Sequence, residues 1–291
     1  MAKGDRNRDQ GARARIAAQQ EAARRTEARR RALLVGGSVV VVVAIVLGIV
    51  LSKVLGKSSS APPGPATEQL PAGVQSAIMT VPPSTLSAVG TGTVLSGSLR
   101  PLTGSELTSG GKPEMLYIGA EWCPYCGAER WAMATALSRF GSFSPLKGVH
   151  SSSSDVYPNT ATLTFYGATY TSKYLVFTPV ENEDVNHNLL VPTTSAQQAL
   201  WAKYDPPGDT YPFIDIGNRY IAGVTYNPQV LQGLSWSQIA SDLHNPSSAV
   251  AQGAIGSANL MTAAICKITG NAPASVCTAA PIPALQAQLP G

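Results

Sequence analysis

The chain has 291 residues, 44% of them hydrophobic and only 13% charged, so one or two domains fit and solubility rests on small polar residues more than on charge. Its net charge of +4 comes from one end: residues 1–31 hold ten Lys or Arg against four Asp or Glu, and the remaining 260 hold eleven against thirteen. That asymmetry argues against a basic nucleic-acid-binding domain; because the basic run leads straight into an apolar one, it reads as a topology signal, with no nucleic-acid partner expected.

Residues 32–52 form 21 residues without a charge, including the run from Val39 to Leu47. At about 1.5 Å per residue they span roughly 30 Å, the thickness of a hydrocarbon core. Arg29, Arg30 and Arg31 close the front edge, which predicts one transmembrane helix in the cell membrane, a cytoplasmic tail at 1–31 and an extracytoplasmic remainder. A cleaved signal peptide fits less well: the apolar core exceeds the roughly 7–15 residues usual there, and Lys53 and Lys57 follow where a small-x-small site would stand. Residues 53–90, with Ala61-Pro62-Pro63-Gly64-Pro65 and Val81-Pro82-Pro83, read as a semi-extended stalk unable to bury a core.

Beyond the stalk, Glu114-Met115-Leu116-Tyr117-Ile118-Gly119-Ala120 reads as a short buried strand introduced by Pro113. Glu121-Trp122-Cys123-Pro124-Tyr125-Cys126 follows, and then a helix to Phe140 with Met133, Leu137 and Phe140 at helical spacing. Two β-rich runs, Thr162–Tyr166 and Lys173–Phe177, are separated by Gly167 and Ala168 and predict a hairpin or one long bent pair. Residues 195–204 carry a helical pattern, and Tyr211 to Ile221 reads as strand, Gly217-Asn218 turn, strand. Helices are expected at 235–244 and 247–269, the second ending at Gly270.

Four cysteines in an exported domain fall into two pairs. Cys266 and Cys277 flank Gly270 and Pro273, which suits a structural staple of the last helix to its tail; a loop of about ten residues would contribute on the order of 2–3 kcal/mol. A second redox relay is the other use of that pair. Cys123 and Cys126 straddle a predicted helix start, where Pro124 fits the first helical position. Thiol–disulfide exchange needs a reachable thiolate and a second thiol to resolve the mixed disulfide. Cys123 at the N-cap would have its pKa lowered by unpaired N–H groups and the helix dipole, making it the nucleophile, with Cys126 as resolving thiol. No metal is expected: a zinc site would want a second close cysteine pair, and His150, His187 and His244 are scattered singly. Glu181, Glu183 and Asp184 beside His187 read as a solvated loop. Asp155 reads as a turn residue, and Trp131, Trp201 and Trp236 as packing residues.

With Ala120-Glu121-Trp122-Cys123-Pro124-Tyr125-Cys126 after a strand and Thr210-Tyr211-Pro212 before the last hairpin, the chain resembles the thioredoxin superfamily. The resemblance implies an α/β, thioredoxin-like fold over residues 91–246 with an enlarged middle region at about 145–209 and a C-terminal helical, disulfide-stapled extension at 247–291. It also implies that Pro212 is a cis-proline facing the motif. Glu121, Trp122, Pro124, Tyr125 and Tyr211 would then form the environment of the two cysteines. Where thioredoxins place a buried aspartate, six residues before the first cysteine, this chain has Tyr117, and Glu121 could substitute only by pointing inward. More narrowly, the anchor, Trp122-Cys123-Pro124-Tyr125-Cys126, Ser151-Ser152-Ser153-Ser154-Asp155, Tyr170-Thr171-Ser172-Lys173-Tyr174 and the late Cys266 and Cys277 resemble the membrane-anchored family known as domain of unknown function 929.

Two functions follow as expectations. One is an anchored thiol–disulfide oxidoreductase, needing no cofactor, that acts on exported cysteine-containing proteins or a membrane redox partner. The other is a non-catalytic binding or assembly module with a structural Cys123–Cys126 disulfide.

Overall fold

From Met115 to Ala120 every residue is buried, and a run of that kind is stable as a strand only when covered on both sides. The structure, a computed structural model, describes residues 67–289 and makes this strand the centre of a mixed α/β fold. The predicted tail at 1–31, the membrane helix at 32–52 and the first part of the predicted stalk lie outside the described residues. Among the described residues no helix is long and apolar enough to cross a membrane.

In chain order the elements are β1 (Glu68–Gln69), α1 (Val74–Met79), α2 (Pro83–Val89), β2 (Leu99–Pro101), β3 (Thr108–Ser109), β4 (Lys112–Ala120), α3 (Pro124–Ser138), β5 (Gly141–Phe143), β6 (Lys147–His150) and β7 (Ala161–Thr164). There follow β8 (Tyr170–Ser172), β9 (Val176–Glu183), α4 (Ser195–Tyr204), β10 (Phe213–Ile216), β11 (Tyr220–Ala222), α5 (Trp236–Asp242), α6 (Gly256–Ile268), α7 (Ala274–Cys277) and α8 (Ile282–Gln288).

β4 pairs on one side with β9, in parallel from Glu114↔Val176 to Ala120↔Glu183, and on the other with β10, antiparallel from Met115↔Ile216 to Ile118↔Phe213. β11 and then β2 extend the sheet beyond β10, and β3 pairs with the first residues of β4. The β10–β11 hairpin turns through Gly217 (φ 67°) and Asn218 (φ 52°), two left-handed residues as a tight hairpin of this hand requires. Because side chains alternate across a strand, Leu116 and Ile118 meet Trp201 of α4 on one face while Met115 and Tyr117 enter the larger core under α3 and α6 on the other. α3 is buried from Pro124 to Leu137 except at Tyr125, so it runs through the interior and not along a surface.

Four sequence expectations are corrected. From residue 67 onward the segment predicted as stalk is folded: Val74 and Ile78 of α1 and Leu86 and Val89 of α2 are buried in the main core, a spacing of three or four that Pro, Gly and Ser had diluted. The folded unit therefore begins well before residue 91. The runs at 162–166 and 173–177 do not pair with each other. Instead β7 pairs with β6, and the second run feeds β9, which joins β4. The region 145–209 is thus no simple insertion, because it holds β9 and α4, both parts of the central α/β layers. The last long helix opens with a π-helical stretch, Ala251–Ile255, before α6.

One buried acid joins three segments of this core. Glu129 of α3 is sealed from solvent and accepts hydrogen bonds from the Thr225 backbone N–H (2.6 Å) and hydroxyl (2.7 Å), beside Ser257 of α6. Burial pushes its carboxyl up from 4.5 to about 8, against the lowering effect of those hydrogen bonds. The unfolded chain then releases this proton near pH 4.5 while the folded chain keeps it to about pH 8, so stability falls as pH rises across that window, by a few kcal/mol in order of magnitude. Glu129→Gln should flatten that fall: urea melts at pH 5 and pH 8 should differ less for the variant than for the wild type. Gly256 tests packing separately, since a Cβ there would lie 2.3 Å from the Thr91 carbonyl oxygen; Gly256→Ala should cost about 1–3 kcal/mol in the same melts.

Candidate functional site

β4 delivers the chain to the site through an irregularity in its pairing with β9 between Gly119 and Ala120. The Glu121 N–H then bonds to the Glu183 carbonyl (2.8 Å), and the chain leaves the sheet. Cys123 takes the N-cap position of α3 in extended geometry, Pro124 follows in the first turn where a missing N–H costs nothing, and the Cys123 sulfur accepts from the Cys126 N–H at 3.3 Å. Both cysteines are free thiols. The helix interior that follows, buried nearly all round, fixes this geometry from below.

The two thiols differ as their places dictate. Hydrogen bonding from the Cys126 thiol is the largest influence lowering the Cys123 pKa; the Cys126 N–H and the positive charge of Arg130 act in the same sense, against the effect of burial. Burial pushes the Cys126 thiol well up, and holding the proton toward Cys123 adds to this. Cys123 is 3% exposed and Cys126 not at all, so the thiolate expected to be reachable is nearly buried: Cys123 lines a groove of about 600 Å³ and does not stand on a free surface.

Beneath the thiols sits a buried polar group that the sequence did not announce. Arg130, one helical turn after Cys126, is fully buried; its Nε and Nη2 donate to the two carboxylate oxygens of Glu181 on β9 (2.9 and 2.6 Å), and Nη2 also donates to the Ala120 carbonyl (2.8 Å). Glu121 does point inward: it is sealed, accepts from the Thr164 hydroxyl at 2.6 Å, and burial raises its pKa. Tyr117 is equally sealed, with the Arg130 guanidinium 5.9 Å from its ring centre. The Tyr117 hydroxyl, Glu121 Oε2 and Arg130 Nη1 have no hydrogen-bond partner among the described residues.

Tyr211 packs against the cluster of Ala120, Cys123 and Cys126, and the Tyr211–Pro212 peptide bond is cis, immediately before β10. Trp122, half-buried, donates its indole N–H to Glu183 (2.7 Å), meets the Tyr211 ring edge-on at 5.9 Å, and stacks on His187 at 4.5 Å. Tyr125 meets Tyr157 at 5.9 Å. The acidic run at 181–184 is thus not a solvated loop. Glu181 pairs with Arg130, Glu183 holds Trp122, and Asp184 accepts from the Asn186 and Asn188 N–H groups of the following turn. Trp201 is more than a packing residue, since it lines the groove as well as the core face of the sheet.

Cys266 and Cys277 form a disulfide that ties α6 to α7, with Cα atoms 5.6 Å apart, and both belong to the main core and not to the Cys123 cluster. Among the described residues no three of His, Cys, Asp or Glu come together as a metal set.

Fold and site together define a mixed α/β protein with a Cys-x-x-Cys pair at the start of a buried helix. Comparison with known families places it further: the profile described as Domain of unknown function (DUF929) matches residues 101–267, and the chain belongs to that family. The matched stretch contains Cys123, Cys126, Pro212 and Cys266. No curated protein and no solved structure matches the chain.

Arg130 supplies charge and architecture at once, and substitution separates the two. Arg130→Met should destabilise the protein by about 3–5 kcal/mol by leaving Glu181 buried and unpaired, whereas adding Glu181→Leu should recover much of that loss. Both variants remove the positive charge beneath the thiols. In both, the pH midpoint for alkylation of Cys123 should therefore rise relative to the parent, measured in a Cys126→Ser background.

Proposed function

We propose that this protein is a membrane-anchored, extracytoplasmic thiol–disulfide oxidoreductase of thioredoxin-like fold, acting through Cys123 and Cys126 on cysteines of exported proteins or of a membrane redox partner. The observation that carries the reading is the asymmetric pair of free thiols at a helix start, one favoured as thiolate and lining a groove, the other sealed with its proton held. The order of strand, Cys-x-x-Cys and helix supports the fold assignment, as does Tyr211 against the cysteines immediately before β10, which lies beside β4. The anchor rests on residues 32–52, whose length and lack of charge suit a bilayer.

The chemistry runs in two steps. The Cys123 thiolate attacks a partner disulfide, so that a Cys123–partner bond forms, the partner's own S–S bond breaks, and the departing thiolate takes a proton. Cys126 then gives up its proton and attacks Cys123; the Cys123–Cys126 bond forms and the second partner thiol leaves. The partner gains two electrons and the enzyme loses two, and run backwards the same steps oxidise a partner dithiol. The helix N-terminus and Arg130 stabilise the attacking thiolate, and Tyr211 shapes the approach to it.

Cys126→Ser removes the second step and should leave covalent mixed disulfides in native membranes, reducible and resolvable on non-reducing gels. Cys123→Ser should trap nothing and should reduce insulin no faster than background. If neither thiol is alkylated in the reduced native protein and no adduct forms, the binding-module reading replaces this one.

A further inference from the structure

The groove beside Cys123 also has a charge character. Its carboxylate walls are Asp155, Glu183 and Asp209, and among the described residues no Lys, Arg or His lines it, the His187 imidazole lying behind the wall, 3.8 Å from Glu183 and stacked on Trp122. Asp209 is exposed and Asp155 half-exposed, and Glu183 is held in place by the Trp122 indole N–H at 2.7 Å. Between these carboxylates stand the rings of Trp122, Tyr125, Trp201 and Tyr211. Trp201 is 3% exposed, and its indole N–H, which can only donate, has no partner among the described residues.

From this we infer that the groove takes a polypeptide segment with Lys or Arg beside its reactive cysteine, and disfavours acidic thiols such as glutathione; the inference rests on the oxidoreductase reading above. A cationic side chain pairs with the carboxylates and lies over the rings. Glutathione carries two carboxylates and one ammonium group, so it brings net negative charge to a groove whose charged lining among the described residues is three carboxylates. The groove's selectivity is therefore electrostatic, set by residues 155, 183 and 209, while the thiol that lines it is indifferent to the partner.

The test uses the full chain carrying Cys126→Ser and four disulfides with the same neutral leaving group, pyridine-2-thiol: a Lys-flanked cysteine peptide, its Glu-flanked counterpart, glutathione, and uncharged 2-mercaptoethanol. In each case Cys123–S–S–probe forms, the probe–pyridyl S–S bond breaks, and the released pyridine-2-thione is measured. The Lys peptide should react about tenfold faster than the Glu peptide and glutathione at low salt, and the ratio should shrink toward one at about 0.5 M salt, where screening is nearly complete. Asp155→Asn with Asp209→Asn should shrink the same ratio. If that variant does not fold, the salt series on the unaltered groove decides alone. Equal rates for the Lys and Glu peptides, with the uncharged probe reacting, overturn the inference and leave the redox reading standing. Failure of all four probes overturns both.

Discussion

The buried ion pair between Arg130 and Glu181 is the constraint on which the site depends. It joins the first turns of α3 to the end of β9, and through the Ala120 carbonyl it also holds the last residue of β4, so three elements far apart in sequence converge on one guanidinium. Such a pair gains little net stability over an apolar replacement, because two charges leave water to form it. What it provides is position and field. The positive charge lies under two thiols and helps lower the pKa of Cys123, while at Cys126 it only partly offsets burial, and Glu121, which would oppose it if ionised, is pushed by burial toward its neutral form.

Around that pair the fold divides the work. The groove's fixed side comes from Trp122, Cys123 and Tyr125, held between a strand and a helix that are buried on nearly every side. The walls come from the middle region: the 150–160 segment brings Asp155, the end of β9 brings Asn182 and Glu183, and α4 with the chain after it brings Trp201, Asp209 and Tyr211. A fixed side with walls built from connecting segments is the usual way for a scaffold to keep its chemistry while changing its partners.

Much of this was legible in the sequence where the signal is local. β4 stands out because six apolar or small residues run between Glu114 and Glu121, α4 matches its expected bounds, and Gly217-Asn218 fixes the β10–β11 hairpin by turn chemistry alone. What escaped was set by distance. The run at 173–177 reads as part of a local hairpin or bent pair, whereas β9 takes as its parallel partner β4, a strand about 60 residues earlier, which no local signal marks. α1 and α2 were hidden by composition, since a few buried apolar residues among Pro, Gly and Ser do not raise the average hydropathy of a window. Arg130 had one readable sign, its place four residues after Cys126 on the same helix face, but nothing in the sequence names Glu181 as its partner.

Tyr117 occupies a place in the core where a charge would be costly. A carboxylate at this fully buried position would lie close to the Arg130–Glu181 pair and compete with Glu181 for the single guanidinium, leaving one acid unpaired in the core at a cost of several kcal/mol. A tyrosine fills the same space, stays neutral because burial raises its pKa further, and sets its ring 5.9 Å from the guanidinium. The inward-facing Glu121 is a separate buried carboxyl, which accepts from the Thr164 hydroxyl through one oxygen. On the redox reading, then, a cation and a helix terminus govern the thiols, and the tyrosine at 117 adds no charge to their surroundings.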